Sequence, residues 1–288
     1  MGIGQVLSDT FGMVKGRFGP LLGLWAIYVA IMIGLLVVMG VGIGATGVAG
    51  LAVLESNPLA VGGGMILVMI VFYVGYLIAA MAQYASLIAL ASPLRQLTVG
   101  EALGIGLRAA PAMVLLLIVL LIGYFLVAMI LGLVGAAASA MGGAAQAVFG
   151  VVLLGVMVWL GCRLAPLFAV MAVDGVRNPL TAITRSWRLT QGHALQIFLV
   201  SLVFLIILVV VSCVALLPSI GLLSGMMNPA VLAGTAPPVA PAFGGLALLG
   251  LGVLVVSVLF NICYCAFMAV IHAALLGAAG EGTAEAFA

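Results

Sequence analysis

The sequence predicts an all-α integral membrane protein in which six transmembrane helices form three parallel repeats of an interfacial amphipathic helix followed by a helical hairpin. Three observations carry that expectation. Of the residues, 67% are hydrophobic and 5% charged, with a mean hydropathy of +1.52, whereas a soluble domain carries about 25% charged residues. Six apolar stretches each reach the roughly 20 residues needed to cross about 30 Å of hydrocarbon. Seven of the eight basic residues stand just before the odd-numbered stretches: Lys15 and Arg17, then Arg95 and Arg108, then Arg177, Arg185 and Arg188. The connections near 44–62, 134–147 and 218–244 hold no Lys or Arg. Basic residues are retained on the cytoplasmic side, so both termini are expected there.

In chain order, Ile3, Val6, Leu7, Phe11 and Val14 recur at helical spacing while Gln5, Asp9 and Lys15 fall elsewhere, the pattern of a surface helix. The first span follows near 20–43. It exceeds the ~7–15 residues of a signal-peptide core, so it is expected to be retained. A second span near 65–92 closes the hairpin. Thr98 and Glu101 make a T-x-x-E capping box, in which each side chain satisfies the other's free backbone N–H. It opens a second surface helix before spans near 110–135 and 147–173. Asn178 is an N-cap, and Pro179 takes the first helical position, where its missing N–H costs nothing. The third surface helix so opened precedes spans near 194–217 and 245–277. The second and last stretches exceed the minimum length, so they tilt, kink or project into the interface. Between spans five and six, Pro218, Pro237, Pro238 and Pro241 favour an irregular connection.

The repeat is visible by offset. Moving 96 residues carries Gly4, Leu7 and Phe11 onto Gly100, Leu103 and Leu107, and a further 80 carries Ala102, Leu103, Leu107 and Arg108 onto Ala182, Ile183, Trp187 and Arg188. The units cover about 1–92, 93–173 and 174–280 of a single membrane domain, with a tail at 281–288. Two-span units repeat in the same orientation, about an axis along the membrane normal.

Few residues are candidates for chemistry. Arg163, in W-L-G-C-R-L-A-P-L-F, lies about ten residues from the basic end of its span. An arginine near the bilayer centre costs about 2.5–3.5 kcal/mol. Pro166 withholds the N–H that would bond the Cys162 carbonyl, leaving an acceptor near the guanidinium. Two readings fit: Arg163 binds an anionic group of a lipid or solute, or it snorkels toward the headgroups. Gln83 holds the same place in its repeat, and Asn261 and Tyr264 lie at a similar depth, so the four are candidates for one intramembrane polar cluster. Along 178–193, Thr181, Thr184, Arg185, Arg188 and Gln191 share a polar helical face, while Leu180, Ile183 and Trp187 share the apolar one. That places Lys15, Arg17, Arg108, Arg185, Trp187 and Arg188 as candidate contacts to lipid headgroups. Gly40, Gly44 and Gly250 permit close helix approach within or between chains.

Other chemistries lack their residues. The net charge of +2 is too small and scattered for nucleic acid. Cys162, Cys213, Cys263 and Cys265 all lie in apolar runs and read as small hydrophobes, and His193 and His272 stand far apart, so no metal site or cofactor is expected. No G-x-S-x-G or H-E-x-x-H occurs, Asp9 and Asp174 lie at span boundaries, Glu55 is alone in its loop, and His272 has no visible nucleophile partner. Catalytic residues are therefore not expected.

The segment N-P-L-T-A-I-T-R-S-W-R-L-T-Q-G from Asn178, preceded by R-L-A-P-L-F-A-V, resembles the R-S-W-x-L-T-x-G signature of the membrane domain associated with glycerophosphoryl diester phosphodiesterases and of the related YciC-like membrane proteins. The opening G-Q-V-L-S-D-T-F-G-M-V-K-G-R-F-G-P-L-L also looks like the start of that domain. The specific likeness covers about 30 residues; the rest is likeness of hydropathy. It implies a six-span module of a bacterial inner membrane, linked to phospholipid or envelope metabolism. The soluble catalytic barrel of those phosphodiesterases has no counterpart in this sequence, so none of its residues transfer. The expected function is a non-enzymatic scaffold or anchor that meets membrane lipids and protein partners or further copies of itself. The alternative is a transporter or channel for a small solute or lipid, with a polar site around Arg163; the P-x-[DE]-x-x-[KR] motif of mitochondrial carriers is absent.

Overall fold

The computed structural model describes residues 2–51, 58–217 and 243–286. It is 91% helical, with no strand among the described residues. The helices are α1 (Ile3–Leu51), α2 (Pro58–Ala91), α3 (Val99–Ala140), α4 (Gly143–Leu164), α5 (Leu167–Val173), α6 (Pro179–Leu189), α7 (Ala194–Leu216) and α8 (Phe243–Ala286). Among the described residues, six segments are long and apolar enough to cross a membrane: Ile3–Ala45, Ile66–Ala91, Val99–Ala140, Gly143–Val173, Ala194–Leu216 and Leu249–Ala278. Glu55 and the proline-rich residues 218–242 lie outside the described residues.

Both predicted caps are present. Thr98 accepts the Glu101 N–H at 3.3 Å, and Glu101 Oε2 accepts the Thr98 N–H at 2.8 Å. Asn178 Oδ1 accepts the Leu180 N–H at 3.0 Å, with Pro179 opening α6.

The first two surface helices are not separate, however. The opening amphipathic stretch runs directly into the first span as α1, leaving one non-helical residue, Arg17 (φ −123°, ψ 22°). Pro20 accounts for the break: inside a helix its ring collides with the carbonyl four residues back, that of Gly16, and a distortion at Arg17 relieves the contact. The second surface stretch continues through Pro111 into α3. Only the third is a helix by itself. There the turn Gln191–His193 contains Gly192 at φ +76°, a conformation glycine reaches without a Cβ clash, and the chain reverses before α7.

Burial is concentrated toward the end of the bundle that carries the arginines. Among residues with described side chains, the buried positions fall within 6–28, 79–92, 102–116, 162–173, 179–190, 197–208 and 258–275. The far halves of the spans face outward, as at Leu133 and Val151, which are 70% and 72% exposed. Lipid tails cover such surface in a bilayer without cost.

Specific contacts set the packing at the basic end. Tyr28 Oη and Ser86 Oγ share a buried hydrogen bond of 2.9 Å between α1 and α2. Phe204 of α7 stacks on Phe267 of α8 at 4.1 Å and meets Phe11 of α1 at 6.5 Å. Arg17 Nη1 donates to the Leu90 carbonyl at 2.8 Å and approaches the Arg95 carbonyl at 3.5 Å, so the broken residue of α1 caps the C-terminus of α2, where a cation is favoured. Gly106 of α3 sits where a methyl would overlap Ser86 Oγ and the Ala82 carbonyl. Gly40, Gly44 and Gly250 meet nothing within 4 Å of where a Cβ would stand; among the described residues the tightest approach is at Gly106, with closer than ordinary approaches also at Gly42 against Val68 and Gly135 against Phe149.

Candidate functional site

The polar chemistry gathers where α6 docks against the broken fourth span. α4 ends at Leu164, and α5 begins after Pro166 (φ −78°, ψ 3°). The last four carbonyls of a helix have no partner within it. That of Arg163 is met from α6: Ser186 Oγ donates to it at 2.9 Å and Thr190 Oγ1 approaches at 3.4 Å. Thr190 Oγ1 also lies 3.0 Å from the Ser186 carbonyl and 3.2 Å from that of Trp187.

This arrangement sets the inward face of α6. Of the apolar residues Leu180, Ile183 and Trp187, Leu180 is 65% exposed while Ile183 and Trp187 are partly buried; the fully buried positions are Pro179, Ala182, Ser186 and Thr190. Small and hydroxyl-bearing residues face inward because the surface they meet is an unpaired backbone carbonyl, which leucine could not satisfy. The polar side is as expected, with Thr181, Thr184, Arg185, Arg188 and Gln191 all exposed.

Arg163 is held in the same contact. Its guanidinium carbon lies 5.3 Å from the Trp159 ring centroid and 5.2 Å from that of Trp187, and the two indoles are nearly perpendicular, at 87°. Both distances are within cation–π range. Nη1 donates to the Trp187 carbonyl at 3.3 Å, not to that of Cys162, and Nε is buried without a partner. Among the described residues, none of these contacts involves Gln83, Asn261 or Tyr264. Gln83 is buried in α2. Asn261, whose Oδ1 is buried without a hydrogen-bond partner, and Tyr264 lie within electrostatic reach of Tyr84, the neighbour of Gln83.

A second knot joins α6 to α8. Asp174, just after α5, accepts from Arg185 Nε at 2.8 Å and lies 3.2 Å from His272 Nε2, whose side chain is fully buried. His272 therefore has an acidic partner 98 residues away in the chain. The sequence sets Asp174 at a span boundary, but nothing in it pairs that carboxylate with His272.

Of the candidate headgroup contacts, Lys15, Arg108, Arg185 and Arg188 are exposed, Trp187 is half-buried against Trp159, and Arg17 turns inward onto α2. Clefts open at this end. One of about 810 Å³ lies between Gln5, Asp9, Leu94 and Gly277; one of about 610 Å³ runs along Thr184, Arg188 and His193; and one of about 240 Å³ lies among Arg95, Arg108 and Arg177. No group of three or more His, Cys, Asp or Glu placed to hold a metal ion occurs among the described residues.

No protein-family model matches the chain, and neither the curated proteins nor the solved structures contain a match to it.

Proposed function

We propose that the chain is a non-enzymatic multi-pass scaffold or anchor whose arginine-bearing end faces the cytoplasm and presents α6 at the surface of a bacterial inner membrane. What supports this over transport is the commitment of Arg163. The basic residue deepest in a span is enclosed by two indoles and bonded to the backbone of α6, so it fastens a surface helix to the bundle. A transport site needs that charge free to meet a substrate. Docked in this way, α6 directs Arg188 outward, where anionic lipid attracts it by about 1 kcal/mol, beside the exposed Arg185 that Asp174 holds.

In this reading the three surface stretches and their hairpins are parallel repeats, and α6 is the copy that has separated fully from its span. Lipids are the first partners, with proteins or further copies of the chain held at the same face. The link to phospholipid or envelope metabolism rests on the resemblance of the Asn178–Gly192 segment.

The test is purification from native membrane with identification of retained lipids and proteins. A defined set should persist with the native chain and be depleted when Ser186→Val and Thr190→Val undock α6. Retention of nothing specific by the native chain would remove the proposal. Solute flux in proteoliposomes, abolished by Arg163→Ala, would replace it with the transport reading.

A further inference from the structure

We propose that Arg95, Arg108 and Arg177 form a binding site for a phosphate monoester group. The three come from separate parts of the chain: the α2–α3 connection, the third turn of α3, and the α5–α6 connection. They converge on one pocket of about 240 Å³, floored by Ile105, Ala109 and the end of α5. Pockets for drug-sized ligands measure about 300–1,000 Å³, so this one takes a small group rather than a whole solute.

Charge points to the class of ligand. The one acid lining the pocket, Asp174, is already held by Arg185 at 2.8 Å and His272 at 3.2 Å. Among the described residues, no carboxylate forms an ion pair with Arg95, Arg108 or Arg177. Glu101, two turns before Arg108 on α3, is occupied by the Thr98 cap. Three arginines therefore line a small space whose one acid is already paired elsewhere. Planar guanidinium donors suit phosphate oxygens and can bind them in bidentate fashion, and a monoester, which carries up to two charges, suits three cations better than a diester.

The geometry also places the turn. Gly175 adopts φ +72° immediately after Asp174, a conformation that favours glycine, and the chain turns there before Arg177. The same short connection thus sends Asp174 toward α6 and α8 and Arg177 to the pocket rim.

The phosphate could be carried by a lipid headgroup such as phosphatidic acid or by a soluble phosphate ester. The lipid source rests on the anchor reading, which sets this end among headgroups; the soluble source does not.

The experiment uses the full chain in detergent micelles and in nanodiscs of phosphatidylcholine with or without phosphatidic acid, with lipid retention read by native mass spectrometry. The double variant Arg108→Gln/Arg177→Gln is compared with the charge-matched Lys15→Gln/Arg188→Gln, and both are checked for unchanged thermal unfolding. At about fivefold per basic residue near a charged surface, simple attraction weakens both about 25-fold. A built site predicts at least a further tenfold loss in the first pair alone. Displacement of the lipid by millimolar glycerol 3-phosphate assigns the soluble source, and its failure to compete assigns the lipid. Equal losses in the two doubles, or none, overturn the site while leaving the scaffold reading to its own co-purification test.

Discussion

Replacing Trp187 by alanine isolates the part of the α6 dock that depends on Arg163. The guanidinium carbon stands 5.2 Å from the Trp187 centroid and 5.3 Å from that of Trp159. A cation–π contact is worth about 0.5–1 kcal/mol when exposed and about 2 when desolvated, so each ring at this partly buried site contributes about 1 kcal/mol. The hydrogen bond to the Trp187 carbonyl, at 3.3 Å, falls at the weak end of the roughly 1.5–3 kcal/mol range for a charged donor. Against these stands the buried, unpaired Nε, which costs about 1–3 kcal/mol. Arg163→Met removes gains and cost together, so its net effect should be about 1–2 kcal/mol. Trp187→Ala keeps the charge, loses one ring and opens a space, and should cost about 3–4 kcal/mol. In the Arg163→Met background the same alanine change has no cation to strand, and its cost should fall by about 1–2 kcal/mol. The assay is a double-mutant cycle by equilibrium unfolding in mixed micelles, followed by far-UV circular dichroism. Additivity of the two changes within about 0.5 kcal/mol would refute the reasoning, since the indoles would then be packing against α4 without regard to its charge.

Four further outcomes follow from the packing. Gly106→Ala should destabilise the bundle by about 1–3 kcal/mol through overlap with Ser86 and the Ala82 carbonyl, whereas Gly104→Ala, with nothing within 4 Å, should be neutral or slightly stabilising by thermal unfolding. Arg185→Gln should cost only about 0.2–1 kcal/mol because its side chain is 46% exposed, while Asp174→Ala should cost about 1–3 kcal/mol by stranding the fully buried His272; chemical unfolding of the two variants separates them. Arg17→Leu should cost about 1–2 kcal/mol through the lost cap on α2, again read by thermal unfolding, with incomplete rescue by Arg17→Lys. In a chain lacking its four native cysteines, Met141→Cys should react with an impermeant maleimide in intact cells and Gln96→Cys only after permeabilisation; the reverse pattern would overturn the orientation.

The spans were legible because each is set by its own composition, and Thr98–Glu101 and Asn178–Pro179 because capping is local. Where α1 would bend was half legible. Pro20 signals a break, but apolar sequence on both sides keeps the helix continuous, so the distortion shrinks to Arg17 instead of separating two helices. The third surface helix stands apart because Gly192 supplies a true reversal. Arg163 stands out in the sequence by its cost, but its companions do not. Trp187 reads as a headgroup anchor until α6 is docked, and the buried stripe of α6 runs through Ser186 and Thr190 because its partner is a carbonyl, a group that hydropathy cannot register. Asp174 and His272 illustrate the same gap over 98 residues: a polar residue's partner is fixed by tertiary approach, which sequence separation does not encode.

The defect at Pro166 also links positions across generations. The Arg163 carbonyl is available to Ser186 and Thr190 because α4 stops two residues before the proline. A change at 166 that lets the helix continue would give that carbonyl a backbone donor and leave the Ser186 hydroxyl buried without its acceptor. Changing Ser186 first would instead leave the carbonyl short of its nearest donor. Either single step lowers stability, and the pair together should cost less than the sum. Relatives of this chain should therefore either keep proline at 166 with hydroxyls at 186 and 190, or have lost the set, with few sequences in between.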